Sequence, residues 1–438
     1  MQIRRNLFQQ LRDWKESFPR KPLVLQGPRQ VGKTWILKEF GHEYFDQVAY
    51  FNFEKQPEIK QFFQVTKDPH RIIGNLSFLV DSPIVPGKTL VILDEIQECT
   101  DALNSLKYFC EEMPDLAIAS AGSLLGVALS RGVSFPVGKV DFLDVSPVTF
   151  SEFLSESDLN LFRYVESIDR IEPIPDIFYN ALHEKLKMYF ISGGMPEAVA
   201  SMIENQNSDR IQQILQSIIR SYQLDFSKYV DNKDIQKINY IWSSLPSQLA
   251  RENRKFLYQT VKEGARAREY ENALQWLINS GLVLRVYCST KPGLPVTSYD
   301  DLTAFKIYLF DVGILRRMSQ LNPLAVTEGN RLFTEFKGAL TENFILQCLC
   351  NQFEGIPRYW KSGNKAEVDF LVSYENTIIP VEVKSDENFR SKSLTFYRKQ
   401  YSPAVGLRFS LKNLKNEGGV VNIPLFLADY TRKILSMV

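Results

Sequence analysis

The segment Gly27-Pro28-Arg29-Gln30-Val31-Gly32-Lys33-Thr34 restricts this chain more than any other stretch of its sequence. It fits the spacing G-x-x-x-x-G-K-[ST] at every fixed position. The glycines let backbone N–H groups curl around phosphate oxygens without a Cβ in the way. A following helix would aim its positive N-terminus at the same anion. Lys33 is placed to reach the β- and γ-phosphates and the Thr34 hydroxyl to ligate Mg²⁺. The flanks suit the motif, because Leu23–Gln26 reads as a strand and Trp35–Phe40 as a helix. An ATP and Mg²⁺ site is therefore expected here.

The surrounding pattern predicts an α/β layer. Candidate strands at Pro22–Gln26, Val48–Phe53, Leu90–Leu93, Leu116–Ala119 and Val140–Val145 are short and apolar with little alternation, as in parallel strands covered on both faces. Helical patterns such as Thr34–Phe40 and Asp101–Glu112 fall between them. The third strand ends in Asp94-Glu95, where Asp94 can hold the Mg²⁺ hydration shell and Glu95 can polarise the attacking water. After the fourth strand comes Ala119-Ser120-Ala121-Gly122-Ser123, and a hydroxyl there, Ser120 or Ser123, can sense the γ-phosphate.

From Ser151 to Gln236 the pattern turns helical, as in Ile211–Tyr222. Residues 237–303 read as two short helices, Phe256–Val261 and Glu271–Ile278, around Glu263-Gly264, followed by a strand at Leu282–Tyr287. That order predicts a winged helix-turn-helix. Arg251, Arg254, Lys255, Lys262, Arg266 and Arg268 crowd its start and favour nucleic acid, whereas Glu269 and Glu271 oppose it. Residues 304–438 read as a second α/β unit, with a helix at Glu335–Cys350 and strands at Val368–Ser373 and Thr377–Val383.

In that last unit Asp369 and Glu382 stand on consecutive strands, and Lys384 shares a face with Glu382 by alternation. Two carboxylates can share a divalent metal while a lysine orients water, which is the arrangement of PD-(D/E)xK nucleases. Glu342 on the preceding helix would add a further acid, so a second divalent metal on Glu342, Asp369 and Glu382 is expected, with Glu382 and Lys384 catalytic. The alternative for the same residues is a set of surface ion pairs. Arg390, Lys392, Arg398 and Lys399 follow and can track a phosphate backbone or solvate a helix face.

Several classes of protein are excluded. Lys+Arg 52 against Asp+Glu 51 gives no overall basic character, so any nucleic-acid surface must be local. No run of 18 apolar residues exists, so no membrane-spanning helix and no membrane partner are expected. The N-terminal stretch lacks an apolar core of signal-peptide length. Cys99, Cys110, Cys288, Cys348 and Cys350 are odd in number and irregularly spaced, and His42, His70 and His183 lie far apart. A cytoplasmic protein with reduced thiols and no zinc site is expected.

The sequence resembles the AAA+-superfamily ATPases that carry a C-terminal DUF4143 domain. The likeness rests on Pro22–Thr34 and Leu93-Asp-Glu-Ile-Gln97, then Ser146-Pro-Val-Thr-Phe-Ser-Glu-Phe153 and Gly193-Gly-Met-Pro-Glu197. It continues through Lys306-Ile-Tyr-Leu-Phe-Asp-Val-Gly313, Leu340-Thr-Glu-Asn343, Glu367-Val-Asp-Phe370 and Val381-Glu-Val-Lys384, in the family's order over nearly the whole chain. One departure is Gly138-Lys139, where relatives carry Gly-Arg. Lysine keeps the charge and loses the bidentate fork, so either Lys139 or the nearby Arg131 would have to serve. The resemblance implies a multidomain α/β chain: a P-loop domain (1–150), a helical segment (151–236), a winged helix (237–303) and a restriction-endonuclease-like domain (304–438). The expected function is ATP binding and hydrolysis that control a nuclease-like domain acting on DNA or RNA. The alternative is a nucleotide-dependent switch or remodeller, with a protein partner or a homo-oligomer and an inactive nuclease-like fold.

Overall fold

Short apolar strands separated by amphipathic helices can pair in parallel only through crossovers, and the N-terminal part of the chain does so. In the computed structural model, residues 3–123, 125–130, 138–230, 232–251, 255–323, 334–363, 365–385 and 392–438 are described. They divide into two compact units. One comprises Arg4–Ser146 with Asn279–Gly281, the other Ile3, Pro147–Ile278 and Leu282–Val438.

The first unit holds a five-stranded sheet of β1 (Leu23–Gln26), β2 (Gln47–Asn52), β3 (Thr89–Asp94), β4 (Ala117–Ala121) and β5 (Asp141–Asp144), in the order β2-β3-β4-β1-β5. Every pairing is parallel. The inner strands β3 and β4 are buried at each position, whereas β5, on the edge, alternates. All five expected strands are present within one or two residues. The helix Lys33–Tyr44 inserts Ile36, Leu37 and Phe40, each fully buried and each contributing roughly 1.5–3 kcal/mol of burial free energy. Pro69 opens the helix Pro69–Ser77, and Asp68 caps it by accepting from the His70 and Arg71 N–H groups.

In the second unit, helices Phe150–Ser157, Leu159–Glu166, Asp176–Ser192, Pro196–Asn205, Ser208–Tyr229 and Asn232–Leu249 precede the short helix Tyr258–Val261 and the helix Ala267–Asn279. A mixed sheet follows, made of β6 (Val283–Ser289), β7 (Asp300–Leu309), β8 (Arg358–Ser362), β9 (Ala366–Tyr374), β10 (Thr377–Val383), β11 (Gly406–Ser410), β12 (Lys415–Glu417) and β13 (Val420–Pro424). Its order is β12-β13-β11-β10-β9-β8-β6-β7. The hairpin β6–β7 pairs through β6 with β8 in parallel, so it belongs to the same sheet as the C-terminal strands. The expected separation at 303/304 therefore falls inside β7, and the one at 236/237 inside the helix Asn232–Leu249. A hairpin read in isolation gives no sign of a neighbour arriving some 50 residues later. Among the described residues no helix is long and apolar enough to cross a membrane.

Several sequence motifs prove to be joints of this unit. Thr149 and Glu152 form a reciprocal capping box on the helix Phe150–Ser157. Asp429 accepts from the Ser151 N–H at 2.8 Å. Asp311, fully buried, accepts from the Gly194 N–H at 2.7 Å and from the Ile314 N–H at 2.8 Å. Burial pushes its carboxyl up to about 6 against the pull of those N–H donors. Arg316, also fully buried, donates to the Ile191 carbonyl. Gly193, at φ 64, lies so close to Gly313 that a Cβ would stand 2.4 Å from Asp311 Oδ1 and 2.6 Å from the Gly313 nitrogen.

Gly193→Ala is expected to cost at least about 2 kcal/mol, since strained backbone and overpacking each contribute about 1–3 kcal/mol. Gly74→Ala, in a helix with open space around it, should be neutral or slightly stabilising. Thermal unfolding of the two variants checks this, and equal melting temperatures would contradict the joint.

Candidate functional site

The loop between β1 and the helix Lys33–Tyr44 is shaped by its glycines. Gly27 has φ 141, and a Cβ there would lie 2.3 Å from the Val145 carbonyl oxygen. Gly32, at φ 96, is the N-cap, and no side chain caps the first helical turn. Those N–H groups are left to an anion. Lys33 is nearly buried and donates to the Gly27 and Pro28 carbonyls at 2.8 and 2.7 Å. Burial pulls its ammonium down to about 8 against the opposing attraction of Glu95 and Asp94. Such a cation is under-solvated and suited to a phosphate. The loop also rests on Arg5, which the sequence reading overlooked; its guanidinium donates to the Val31 carbonyl at 3.1 Å and the Ser146 carbonyl at 2.7 Å.

Strand order places the expected acids beside the loop. β1 lies between β4 and β5, so the ends of β1, β3 and β4 gather at the point where strand order reverses, the usual ligand edge of a doubly wound sheet. Asp94, at the end of β3, is buried and accepts from Thr34 Oγ1 at 3.1 Å. Because Thr34 gives its proton to Asp94, its oxygen lone pairs remain available to a metal ion. Tyr50 and Asn52 on β2 also donate to Asp94, at 2.7 and 3.1 Å. Neither was anticipated from the sequence. Glu95 follows in a left-handed conformation with φ 51. Its Oε2 accepts from Gln97 Nε2 at 2.5 Å and from Ser123 Oγ at 3.3 Å, and Ser123 in turn accepts from Arg29 Nε at 3.1 Å. Ser123 thus bridges the loop to Glu95, while the Ser120 hydroxyl is buried without a partner among the described residues.

The basic residue after Gly138 is differently engaged. Lys139 pairs with Glu111 at 2.9 Å. Arg131, Arg254 and Arg390 lie outside the described residues.

The second constellation only partly assembles. Glu342, on the helix Thr334–Cys350, accepts from the Tyr308 hydroxyl at 2.8 Å, and its carboxyl shares a hydrogen bond with Asp369 of β9. Asp369 also accepts from the Val383 N–H at 2.7 Å. Burial, then the neighbouring Glu342, pushes the Asp369 carboxyl up to about 8. Lys306 of β7, almost wholly buried, pairs with Glu367 at 2.6 Å. Burial disfavours its charge, but Glu342, Glu367 and Asp369 outweigh that and hold it above the usual lysine range. Glu382 is engaged elsewhere, with Lys384 at 3.3 Å and Arg408 of β11 at 3.6 Å. Among the described residues no group of three or more His, Cys, Asp or Glu side chains could hold a metal. Of the expected metal set, Glu342 and Asp369 stand in hydrogen-bond contact, and Glu382 pairs with Lys384 and Arg408. Two cations, Lys306 and Arg408, arrive from strands that the spacing of Asp369 and Glu382 did not reveal.

Around the helix Ala267–Asn279, Glu271 pairs with Arg285 at 2.8 Å and its charge is thereby offset. Lys262 stands over the Tyr240 ring, and Arg398 donates to the Gly418 carbonyl.

A parallel sheet with a glycine loop, a buried lysine and a threonine–aspartate pair defines a P-loop nucleotide-binding protein. Residues 19–154 match the family described as AAA domain, and residues 337–427 match Domain of unknown function (DUF4143). The chain thus carries an AAA-type P-loop ATPase domain and a C-terminal DUF4143 domain. Between them residues 183–325 match Domain of unknown function (DUF8612), a region that spans most of the expected helical segment, the expected winged helix and the start of the expected endonuclease-like domain. No curated protein matches the sequence. Among solved structures, the Walker-type ATPase PABY2304 of Pyrococcus abyssi is similar at 14% identity and TM-score 0.45, over 72% of this chain and 96% of that one. The Orc1 protein of Aeropyrum pernix in complex with DNA is similar at 14% identity and TM-score 0.29, over 73% and 93%. The RuvB Holliday junction branch migration motor of Thermotoga maritima is similar at 14% identity and TM-score 0.29, over 64% and 89%.

The raised Asp369 carboxyl has a measurable consequence. Asp369 is raised above its unfolded value, so the folded state binds a proton that the unfolded chain releases between about pH 4 and 8. Stability from this group is full below that window and falls as pH rises through it. Asp369→Asn should flatten the decline between pH 5 and 9 by at least about 1 kcal/mol, the value of one pH unit of bound proton. Urea unfolding at both pH values checks this, and parallel declines would contradict the raised Asp369 carboxyl.

Proposed function

We propose that this protein binds ATP with Mg²⁺ at Gly27–Thr34, hydrolyses it, and works as a nucleotide-dependent switch. The observation that carries the reading is the buried Lys33 beside the uncapped helix N-terminus, with Thr34 and Asp94 joined next to it. The donor set fits a triphosphate: backbone N–H groups and Lys33 would hold the phosphate oxygens, and Thr34 and Asp94 would hold the metal. Bound Mg²⁺ would supply charge neutralisation at the bridging oxygens. Glu95 takes the proton of the attacking water, Gln97 and Ser123 fix its carboxylate, and Arg29 reaches it through Ser123.

For the C-terminal sheet the reading departs from nuclease control. The Glu342 and Asp369 carboxyls share a hydrogen bond near Lys306, and Glu382 is held by Lys384 and Arg408. These compensated charges favour a fold that binds a macromolecular partner under nucleotide control and does not cut.

Lys33→Ala should remove ATP affinity, measured by calorimetry, while the protein stays folded; unchanged affinity would sink the assignment. Glu95→Gln should bind ATP and turn it over about 10²–10⁴-fold more slowly, the usual worth of a positioned base. Equal turnover would give the water to another residue. Incubation of the wild type with single- and double-stranded DNA and RNA and Mn²⁺ should leave them intact. Cleavage that Asp369→Asn abolishes would restore the nuclease reading.

A further inference from the structure

The carboxylate of Asp94 is held by more of the protein than metal binding alone requires, and the additional donors come from β2. Tyr50 and Asn52 are two residues apart, so their side chains leave the strand on one face. Asn52 is in register with Asp94 across the parallel pair β2–β3. The Tyr50 hydroxyl donates to Asp94 Oδ2 at 2.7 Å, and Asn52 Nδ2 donates to the same oxygen at 3.1 Å and to the Tyr50 hydroxyl oxygen at 3.2 Å. Thr34 Oγ1 lies 3.1 Å from both carboxylate oxygens. Among the described residues, then, Oδ2 has three donors and Oδ1 one. Neither β2 residue is loose. The Lys38 ammonium stands 3.5 Å from the centre of the Tyr50 ring. Lys38 is four residues beyond Thr34 on the same helix face, so one helix presents the metal-facing hydroxyl and clamps the tyrosine behind it. The Asn52 side-chain oxygen accepts from the Glu54 and Lys55 N–H groups at 3.0 and 2.8 Å, which fixes the amide with its NH₂ toward Asp94.

We infer that Tyr50 and Asn52 are positioning residues that occupy one oxygen of Asp94 and turn the other toward the metal shell at the nucleotide site. The inference rests on the ATP and Mg²⁺ reading above and adds to it two residues outside both nucleotide motifs. They touch neither nucleotide nor metal. Their effect is on metal affinity, where partners behind a ligating carboxylate are typically worth about 10–100-fold, and not on the grip of the loop on phosphate.

The test uses the full chain with three measurements. These are Mn²⁺ binding by electron paramagnetic resonance in the presence of a non-hydrolysable ATP analogue, binding of that analogue in EDTA, and the Mg²⁺ concentration for half-maximal ATP turnover. Tyr50→Phe should weaken Mn²⁺ binding and raise the Mg²⁺ requirement by about tenfold or more, with metal-free affinity for the analogue unchanged. Asn52→Ala should shift both in the same direction, and its metal-free affinity reports whether the site remains folded. Wild-type metal requirements in both variants would overturn the inference while leaving the ATPase reading intact. So would an equal loss of metal-free and metal-dependent binding, which marks general support of the site. A wild type that binds no nucleotide would end both together.

Discussion

The hydrogen bonds converging on the Asp94 carboxylate tie the nucleotide-binding unit together. Thr34 reaches it from the helix after the loop, and Tyr50 and Asn52 reach it from the neighbouring strand. A buried carboxylate is costly unless its oxygens are satisfied, so these three donors are what permit an acid at the end of a fully buried strand. The same contacts fix the loop relative to the sheet. Arg5 adds a second fixed point by gripping the Val31 carbonyl. The phosphate loop is thereby preorganised, with Lys33 already among its carbonyls.

The other unit solves a similar problem with opposite consequences. Four carboxylates, Glu342, Glu367, Asp369 and Glu382, are brought to one sheet, and each is matched inside the protein. Lys306 serves Glu367, Lys384 and Arg408 serve Glu382, and Glu342 and Asp369 share a hydrogen bond. The joints at Asp311 and Asp429 show the same economy, since the buried Asp311 and the partly buried Asp429 each accept from backbone N–H groups.

The sequence made the loop and the two acids of β3 legible because their chemistry lives in local spacing. G-x-x-x-x-G-K-T is dictated by backbone geometry, and Asp94-Glu95 ends an apolar run. The five strands were legible for the same reason. Tyr50 and Asn52 were not, because their partner is 44 and 42 residues away and becomes a neighbour only when β2 and β3 pair. Their signal was the two-residue spacing of polar groups at the end of an otherwise apolar strand. The C-terminal cluster misled in the same way. Alternation along one hairpin brings Asp369 and Glu382 forward, yet it says nothing of Lys306 on β7 or Arg408 on β11. Nor could it show that β6–β7, read as a wing, would join the C-terminal strands through a parallel pair with β8.

The central claim is that the unit built on Asp94 is a Mg²⁺-dependent ATP site. It is tested most directly by phosphate release from ATP in the wild type and in Asp94→Asn, each followed across a Mg²⁺ titration. The asparagine keeps the shape and removes the charge. The account expects saturable Mg²⁺-dependent release in the wild type, and in the variant a loss of at least about tenfold that higher Mg²⁺ partly restores. Release that is independent of Mg²⁺, or identical in the two proteins, would contradict it.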